Sequence, residues 1–143
     1  MRITPRRTLC ILCVLTISAI TAGCGGGSDS ATTYHVSGKV EYDGQPLPAG
    51  KIYFTPDSSQ GNQGPQGTAT IKDGRYDTRE SRFGIMGGPY IVRIDGYDGK
   101  QPANDEDNLF VDGQVIFRDY EIRFDFPKSD HVEDIAVPAS ARQ

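Results

Sequence analysis

The chain has 143 residues, of which 15 are basic and 19 acidic, and it contains 17 glycines, 9 prolines and no tryptophan. This length suits one domain, and so many turn-forming residues favour short strands over long helices. The net charge is negative and no run of lysine or arginine offsets it, so nucleic acid is not an expected partner.

The first 23 residues have the three regions of a secretory signal peptide. Met1 to Arg7 is short and basic, Leu9 to Ile20 is almost continuously apolar, and small residues precede Cys24. The apolar run is shorter than the roughly 20 residues that a membrane-spanning helix needs. Removal of residues 1–23 takes away three arginines and no acidic residue, which leaves 12 basic and 19 acidic side chains and a net charge of −7.

The residues around Cys24 resemble a lipobox, the motif at which bacterial lipoproteins are cleaved and lipidated. Ala22-Gly23-Cys24 matches its small pair and its cysteine, whereas Thr21 departs from the aliphatic residue that is usual three positions before the cysteine. The resemblance implies cleavage between Gly23 and Cys24 and attachment of lipid to Cys24. The alternative is an ordinary secretory signal followed by a free cysteine. The other two cysteines lie in the apolar run, so the mature chain is expected to form no internal disulfide.

Residues 24–33 are predicted to be a flexible linker, because Gly25 to Ser30 offers neither apolar side chains nor a stiff backbone. By the best-known sorting rule for lipoproteins, glycine rather than aspartate at position 25 implies the outer membrane rather than the inner one. We expect an exported, lipid-anchored protein that faces the periplasm or the cell exterior. Arg6-Arg7 also fits the start of a twin-arginine signal, but the residues around it match that motif loosely, so general secretion is favoured.

Residues 34–138 are predicted to form a β-domain, because apolar residues recur there at every second position. Asp73-Gly74 predicts a tight hairpin, since this pair readily adopts positive φ angles. Leu109 to Phe117 is less regular and is assigned loop and short strand, and residues 139–143 are assigned to a tail. The alternating segments are Tyr34 to Tyr42, Ile52 to Phe54, Ala69 to Ile71, the residues around Tyr76, Tyr90 to Ile94, Tyr120 to Phe126 and Val132 to Val137.

About seven short strands, with no helix-period segment outside the signal, predict an all-β fold, namely an antiparallel Greek-key β-sandwich. Three segments resemble carboxypeptidase regulatory-like domains, whose fold is transthyretin-like. They are Val36 to Gly50, Ile71 to Tyr76 and Gly84 to Val92. The resemblance covers roughly Tyr34 to Val137 and speaks for fold more than for activity. In the enzymes that give the family its name, this domain is an accessory to the catalytic one.

The sequence shows no recognised catalytic set. His35 and His131 are the only histidines, and neither a nucleophile elbow nor a phosphate-binding loop is present. A set of acidic residues could supply oxygen ligands to calcium, but their spacing fits no EF-hand and solvated loop carboxylates are the favoured interpretation. We therefore predict no catalytic residue, no metal and no cofactor. These acidic residues are Asp95, Asp98, Asp105, Glu106 and Asp107.

Tyr53, Tyr97 and Tyr120 form the candidate ligand surface, because exposed tyrosines offer aromatic platforms to sugars and peptides. Packing within the sheet is the alternative role for tyrosines on strands. The sequence thus predicts a non-enzymatic, lipid-anchored module of the cell envelope with a structural or interaction role and an unknown protein or glycan ligand. A carbohydrate-binding or adhesion module is a first alternative, and a small hydrolase that uses His35 or His131 is a second.

Overall fold

The computed structural model describes residues 32–81, 84–101 and 111–141. Within these ranges the chain is built from strands, turns and three short 3₁₀ segments, which confirms the all-β class. The strands are β1 (Val36–Tyr42), β2 (Gln45–Pro46), β3 (Ala49–Pro56), β4 (Gly67–Lys72), β5 (Arg75–Asp77), β6 (Gly88–Tyr97), β7 (Val115–Phe126), β8 (His131–Val132) and β9 (Ile135–Val137). The 3₁₀ segments are Ser58–Gln60, Thr78–Glu80 and Ala139–Ala141.

Several sequence predictions fall outside the described residues. The signal peptide, the cleavage site at Gly23 and the lipidated Cys24 lie there, and so do residues 24–31 of the linker. The acidic loop residues 105–107 and the last two residues of the predicted tail also lie outside. Within the described ranges, no helix combines the length and the apolar character needed to cross a membrane.

The strands follow one another in the order β2-β1-β5-β4-β3-β6-β7 within one sheet. Although β1 and β7 lie far apart in that order, the ring of Tyr42 in β1 stacks on the ring of Phe117 in β7, with 5.3 Å between centroids. The sheet therefore curls until its two ends face each other, which gives the sandwich-like architecture. Neighbours along this order are antiparallel, whereas β8 and β9 run parallel to β1 because the chain crosses to that strand after β7.

Asp73-Gly74 forms the tight hairpin that the sequence predicts. Asp73 and Gly74 have φ angles of 49° and 71°, and the flanking residues Lys72 and Arg75 pair directly. Positive φ at both central residues is the requirement of a type I′ turn, which aspartate-glycine meets with little strain. The turn is also fixed from outside, because the backbone N–H of Gly74 donates to the carbonyl of Leu47 at 2.8 Å.

The core fills the concave side of the curled sheet, which we call the inner face. Every strand from β3 to β6 alternates buried and more exposed residues, as the sequence pattern predicts. The convex side, the outer face, carries the remaining side chains. The core residues that are at most 1% exposed are Val36, Val40, Leu47, Ile52, Phe54, Ile71, Ile85, Tyr90, Val92, Ile94 and Phe117.

Strand β7 is longer than predicted. A β-bulge within it joins two segments that the sequence pattern assigns separately, one that ends at Phe117 and one that begins at Tyr120. Ile94 pairs with Tyr120 and Gly96 pairs with Phe117, so two residues of β7 oppose one residue of β6. The extra residue is accommodated at Asp119, whose φ is 52° and whose backbone N–H donates to the Asp95 carboxylate at 2.9 Å. The bulge allows Phe117 and Tyr120 to share the inner face although they are three positions apart.

The folded domain extends past the predicted boundary at residue 138. The hydroxyl of Tyr42 donates to the carbonyl of Ala139 at 3.3 Å, and Ala141 packs against the core. Residues 139–141 thus belong to the domain rather than to a tail.

Candidate functional site

The structure places two of the three candidate tyrosines on one surface. Tyr53 in β3 and Tyr97 in β6 lie on the outer face of neighbouring strands, with the pair Lys51 and Asp95 between them in the register. Both side chains are partly exposed. Partial burial and the nearby Asp95 carboxylate raise the pKa of Tyr97.

Tyr120 lies on the opposite side of the sheet from this pair. It is opposite Ile94 in the register, on the inner face, and its ring packs edge-to-face against Phe117 with 6.4 Å between centroids. Its ring therefore contributes to the edge of the core, and the three tyrosines do not form a single platform.

Two of the acidic residues considered as calcium ligands, Asp98 and Asp95, accept hydrogen bonds from the backbone, and Asp95 lies in strand β6. The Asp98 carboxylate accepts from the N–H groups of Lys100 at 3.0 Å and Gln114 at 2.8 Å, and these bonds lower its pKa. Asp95 accepts from Asp119 in the bulge. Within the part of the chain that the structure describes, His, Cys, Asp and Glu form no group of three suited to a metal ion.

The two histidines are neighbours in the structure. His35 directly precedes β1, and His131 is the first residue of β8, which runs parallel to β1. The backbone N–H of His131 donates to the carbonyl of His35 at 2.9 Å. The His131 ring lies 3.0 Å from the Glu133 carboxylate and packs edge-on against Phe126. His35 is half-buried rather than fully exposed, and its Nδ1 has no hydrogen-bond partner among the described residues. In the described contacts, neither ring meets a serine or threonine hydroxyl that a hydrolase could use as a nucleophile.

A groove with a volume of about 480 Å³ lies on the outer face of β1, β4 and β5. Its cationic side chains are Lys39, Lys72 and Arg75, one from each strand, and its acidic ones include Glu80 and Asp134. The structure shows all three cations as exposed. The sequence does not show that they are neighbours, because that depends on the order of the strands.

Among the residues that the structure describes, Asp57 carries the buried carboxylate, and it is 2% exposed. It accepts hydrogen bonds from the backbone N–H and hydroxyl of Ser59, from Gln60 at 2.8 Å and from Arg123 at 2.9 Å. The bonds from Ser59 and Gln60, helped by the charge of Arg123, lower the pKa of Asp57. Since every one of these partners belongs to the fold, Asp57 is a structural group that ties the end of β3 to β7.

We expect acid to destabilise the domain below about pH 4. The pKa values of Asp57, Asp98 and Asp130 are all lowered in the folded state, so their stabilisation is complete above the unfolded value of 3.8 and is lost as pH falls through the folded values. Thermal melts at pH 7 and pH 3 should show a clearly lower midpoint at pH 3.

Asp57→Asn should lower the melting midpoint at pH 7 by several degrees. It should also reduce the difference between the midpoints measured at pH 7 and pH 3. The new amide would point an N–H donor at the donor groups of Arg123 and Gln60. The isosteric control is Asp119→Asn, because this side chain is exposed and asparagine tolerates the positive φ angle at this position. Identical melts of the wild-type chain at pH 7 and pH 3 would contradict the assignment.

Comparison with known proteins gives limited similarity. No protein-family model matches the sequence, and no curated protein matches it. Among solved structures, the chain is similar to the crystal structure of a DUF3823 family protein from Parabacteroides merdae, with 17% sequence identity and a TM-score of 0.40. The similarity covers 75% of this chain and 46% of that one, so the chain spans less than half of its neighbour.

Proposed function

We propose that this protein is a lipid-anchored module of the bacterial cell envelope that binds another envelope component rather than catalysing a reaction. The observation that carries the proposal is the order of features at the start of the chain. A basic segment, the apolar run Leu9 to Ile20 and the small residues Ala22-Gly23 lead directly to Cys24. This is the order in which export, cleavage and lipidation require them.

The anchor and the folded domain are separated by a polar segment. Strand β1 begins at Val36, twelve positions after Cys24, and Gly25 to Ser30 between them contains only glycine, serine and aspartate. A single acyl chain binds a membrane marginally, whereas two or three chains, at about 0.8 kcal/mol per buried methylene, hold durably. A lipidated Cys24 would thereby hold the domain at the membrane.

We assign the domain to the carboxypeptidase regulatory-like type on its turns. The motifs that carry the resemblance coincide with structural turns, since Asp43-Gly44 and Asp73-Gly74 each close a two-residue hairpin and Gly87-Gly88 leads into β6. All six residues have positive φ, the backbone conformation that glycine and aspartate accommodate in such turns. In that family the domain is a non-catalytic accessory, which supports a binding role.

Three carboxylates that could act as an acid or a base are held by hydrogen bonds and ion pairs within the fold. The carboxylates of Asp57 and Asp98 hold loops through several hydrogen bonds. Asp130 accepts from the backbone of His35 and pairs with Arg79. A carboxylate held in this way has its pKa lowered and is a poor proton donor or acceptor near neutral pH.

Carbohydrate binding through the tyrosine pair is a second candidate. It is favoured by the position of Tyr53 and Tyr97 on one face, with Lys51 and Asp95 between them as hydrogen-bonding groups. Partly exposed rings combined with polar neighbours suit the apolar faces and hydroxyls of a sugar.

Cys24→Ala should abolish lipidation completely, because no other residue of the matched motif can carry the lipid. In cells grown with an alkyne-tagged fatty acid, the wild-type protein should become fluorescent after reaction with an azide dye, and Cys24→Ala should not. Cys13→Ala is the matched control, since it removes a thiol from the apolar run and leaves the cleavage motif intact. Labelling of the Cys24→Ala variant, or an unlabelled wild-type protein, would refute the anchor.

A further inference from the structure

The groove on β1, β4 and β5 contains a row of three cations in direct register. Lys39 is opposite Arg75, and Arg75 is opposite Lys72, so one basic residue from each neighbouring strand lines up across the sheet. Adjacent strands lie about 4.8 Å apart, which places the Cα atoms of the three residues along a line of about 10 Å. All three residues are exposed on the outer face.

The cations of this row make no ion pair with the residues that the structure describes. Other arginines on the outer face do, since Arg93 lies 3.7 Å from Asp119 and Arg123 lies 2.9 Å from Asp57. Like charges directly opposite each other destabilise a sheet. The stability of the sheet therefore does not explain this row of cations. The row is also unusual in a chain whose net charge is −4.

The groove also contains acceptors beside this row. The Asp134 carboxylate uses one oxygen to accept the backbone N–H of Lys39 at 2.7 Å, which leaves its second oxygen for another donor. Glu80 is exposed and forms no ion pair with described residues. Val132, 69% exposed, adds an apolar contact at the same groove.

We propose that this groove binds an acidic oligosaccharide of the uronate type. Its carboxylates would pair with Lys39, Arg75 and Lys72, its hydroxyls would donate to Glu80 and Asp134, and a sugar ring would cover Val132. A neutral sugar would leave the cations unpaired, and a polyanion without hydroxyl donors would be repelled by Glu80 and Asp134. The site is distinct from the tyrosine pair and does not depend on the lipid anchor.

The test is isothermal titration of the full-length chain, purified in detergent, with tetragalacturonate. Arg75→Gln and Lys72→Gln should each weaken binding about tenfold or more, because each removes a charge-assisted hydrogen bond. The matched control is Lys128→Gln, which alters an exposed lysine outside the groove and should change the affinity less than about twofold. Higher ionic strength should weaken binding to the wild-type chain.

Four results would overturn the proposal. They are no binding of tetragalacturonate, equal binding of tetraglutamate, equal binding of neutral cellotetraose, and unchanged affinity after Arg75→Gln. Loss of sugar binding in Tyr53→Ala together with normal binding in Arg75→Gln would assign recognition to the tyrosine pair instead. Fatty-acid labelling of Cys24 is independent of all these outcomes, so failure of the groove and failure of the anchor are separable.

Discussion

Phe54→Ala should lower the free energy of unfolding by about 3–5 kcal/mol, the range for removal of a buried phenylalanine. Phe54 is fully buried, and its ring lies 6.2 Å from the ring of Tyr76 and 5.9 Å from that of Phe126. It therefore joins β3 to β5 and to β7 across the core. In so small a domain this is a large part of the total stability, which is typically about 5–15 kcal/mol.

Urea denaturation measures this effect as a shift of the midpoint at an unchanged slope. Thr68→Ala is the matched control, because Thr68 is exposed on the outer face of the neighbouring strand β4. That change should cost less than about 1 kcal/mol, the span of strand propensities. Equal losses for the two variants would mean that Phe54 does not lie at the centre of the core.

Gly38→Ala should cost about 1–3 kcal/mol or more, the range for overpacking a core. A Cβ atom at position 38 would lie 1.9 Å from the carbonyl oxygen of Glu133 and 2.7 Å from its carbon. Because these are backbone atoms, no side-chain rotation relieves the clash. The segment between β8 and β9 must then move away from β1, and the hydrogen bond from the hydroxyl of Tyr76 to Glu133 must break.

Hydrogen exchange gives this prediction a local readout. The backbone N–H of Glu133 donates to the carbonyl of Ser37 at 2.9 Å, and its protection should fall in Gly38→Ala. Gly67→Ala is the control, since a Cβ there meets its nearest atoms at 3.4 Å, an ordinary contact distance. Full protection of Glu133 in Gly38→Ala would contradict the prediction, because it would show that a Cβ atom fits at position 38 without moving this segment away from β1.

Much of the fold follows from the sequence pattern because each strand has one face in the core. The alternation at Ile52 and Phe54, and again at Val92 and Ile94, correctly predicts both the strands and their buried sides. Asp73-Gly74 predicts its hairpin for an equally local reason, the positive φ angles that the turn needs. Local features of this kind depend only on neighbouring residues, and the sequence displays them directly.

The remaining features depend on contacts between distant parts of the chain. The bulge at Asp119 reverses the alternation of β7, so Phe117 and Tyr120 read as members of two segments although they share one face. The parallel pairing of β8 with β1 joins residues 95 positions apart, such as Val36 and His131. No local pattern encodes either one.

The candidate groove could not be predicted for the same reason. Lys39, Lys72 and Arg75 each read as an ordinary exposed position on a strand. Only the strand order β1-β5-β4 makes them neighbours. For the tyrosines, by contrast, the sequence pattern already contains the answer. It places Tyr120 with the buried residues of its strand, and in the structure Tyr120 lies on the other face from Tyr53 and Tyr97.

The most direct test of the lipid-anchored account is mass spectrometry of the mature N-terminus. Trypsin digestion of the membrane-extracted protein should release a peptide that begins at Cys24 and ends at Lys39. We predict that its mass includes a diacylglyceryl group on Cys24. A peptide with the same ends but without acyl mass, or one that begins before Cys24, would contradict the account.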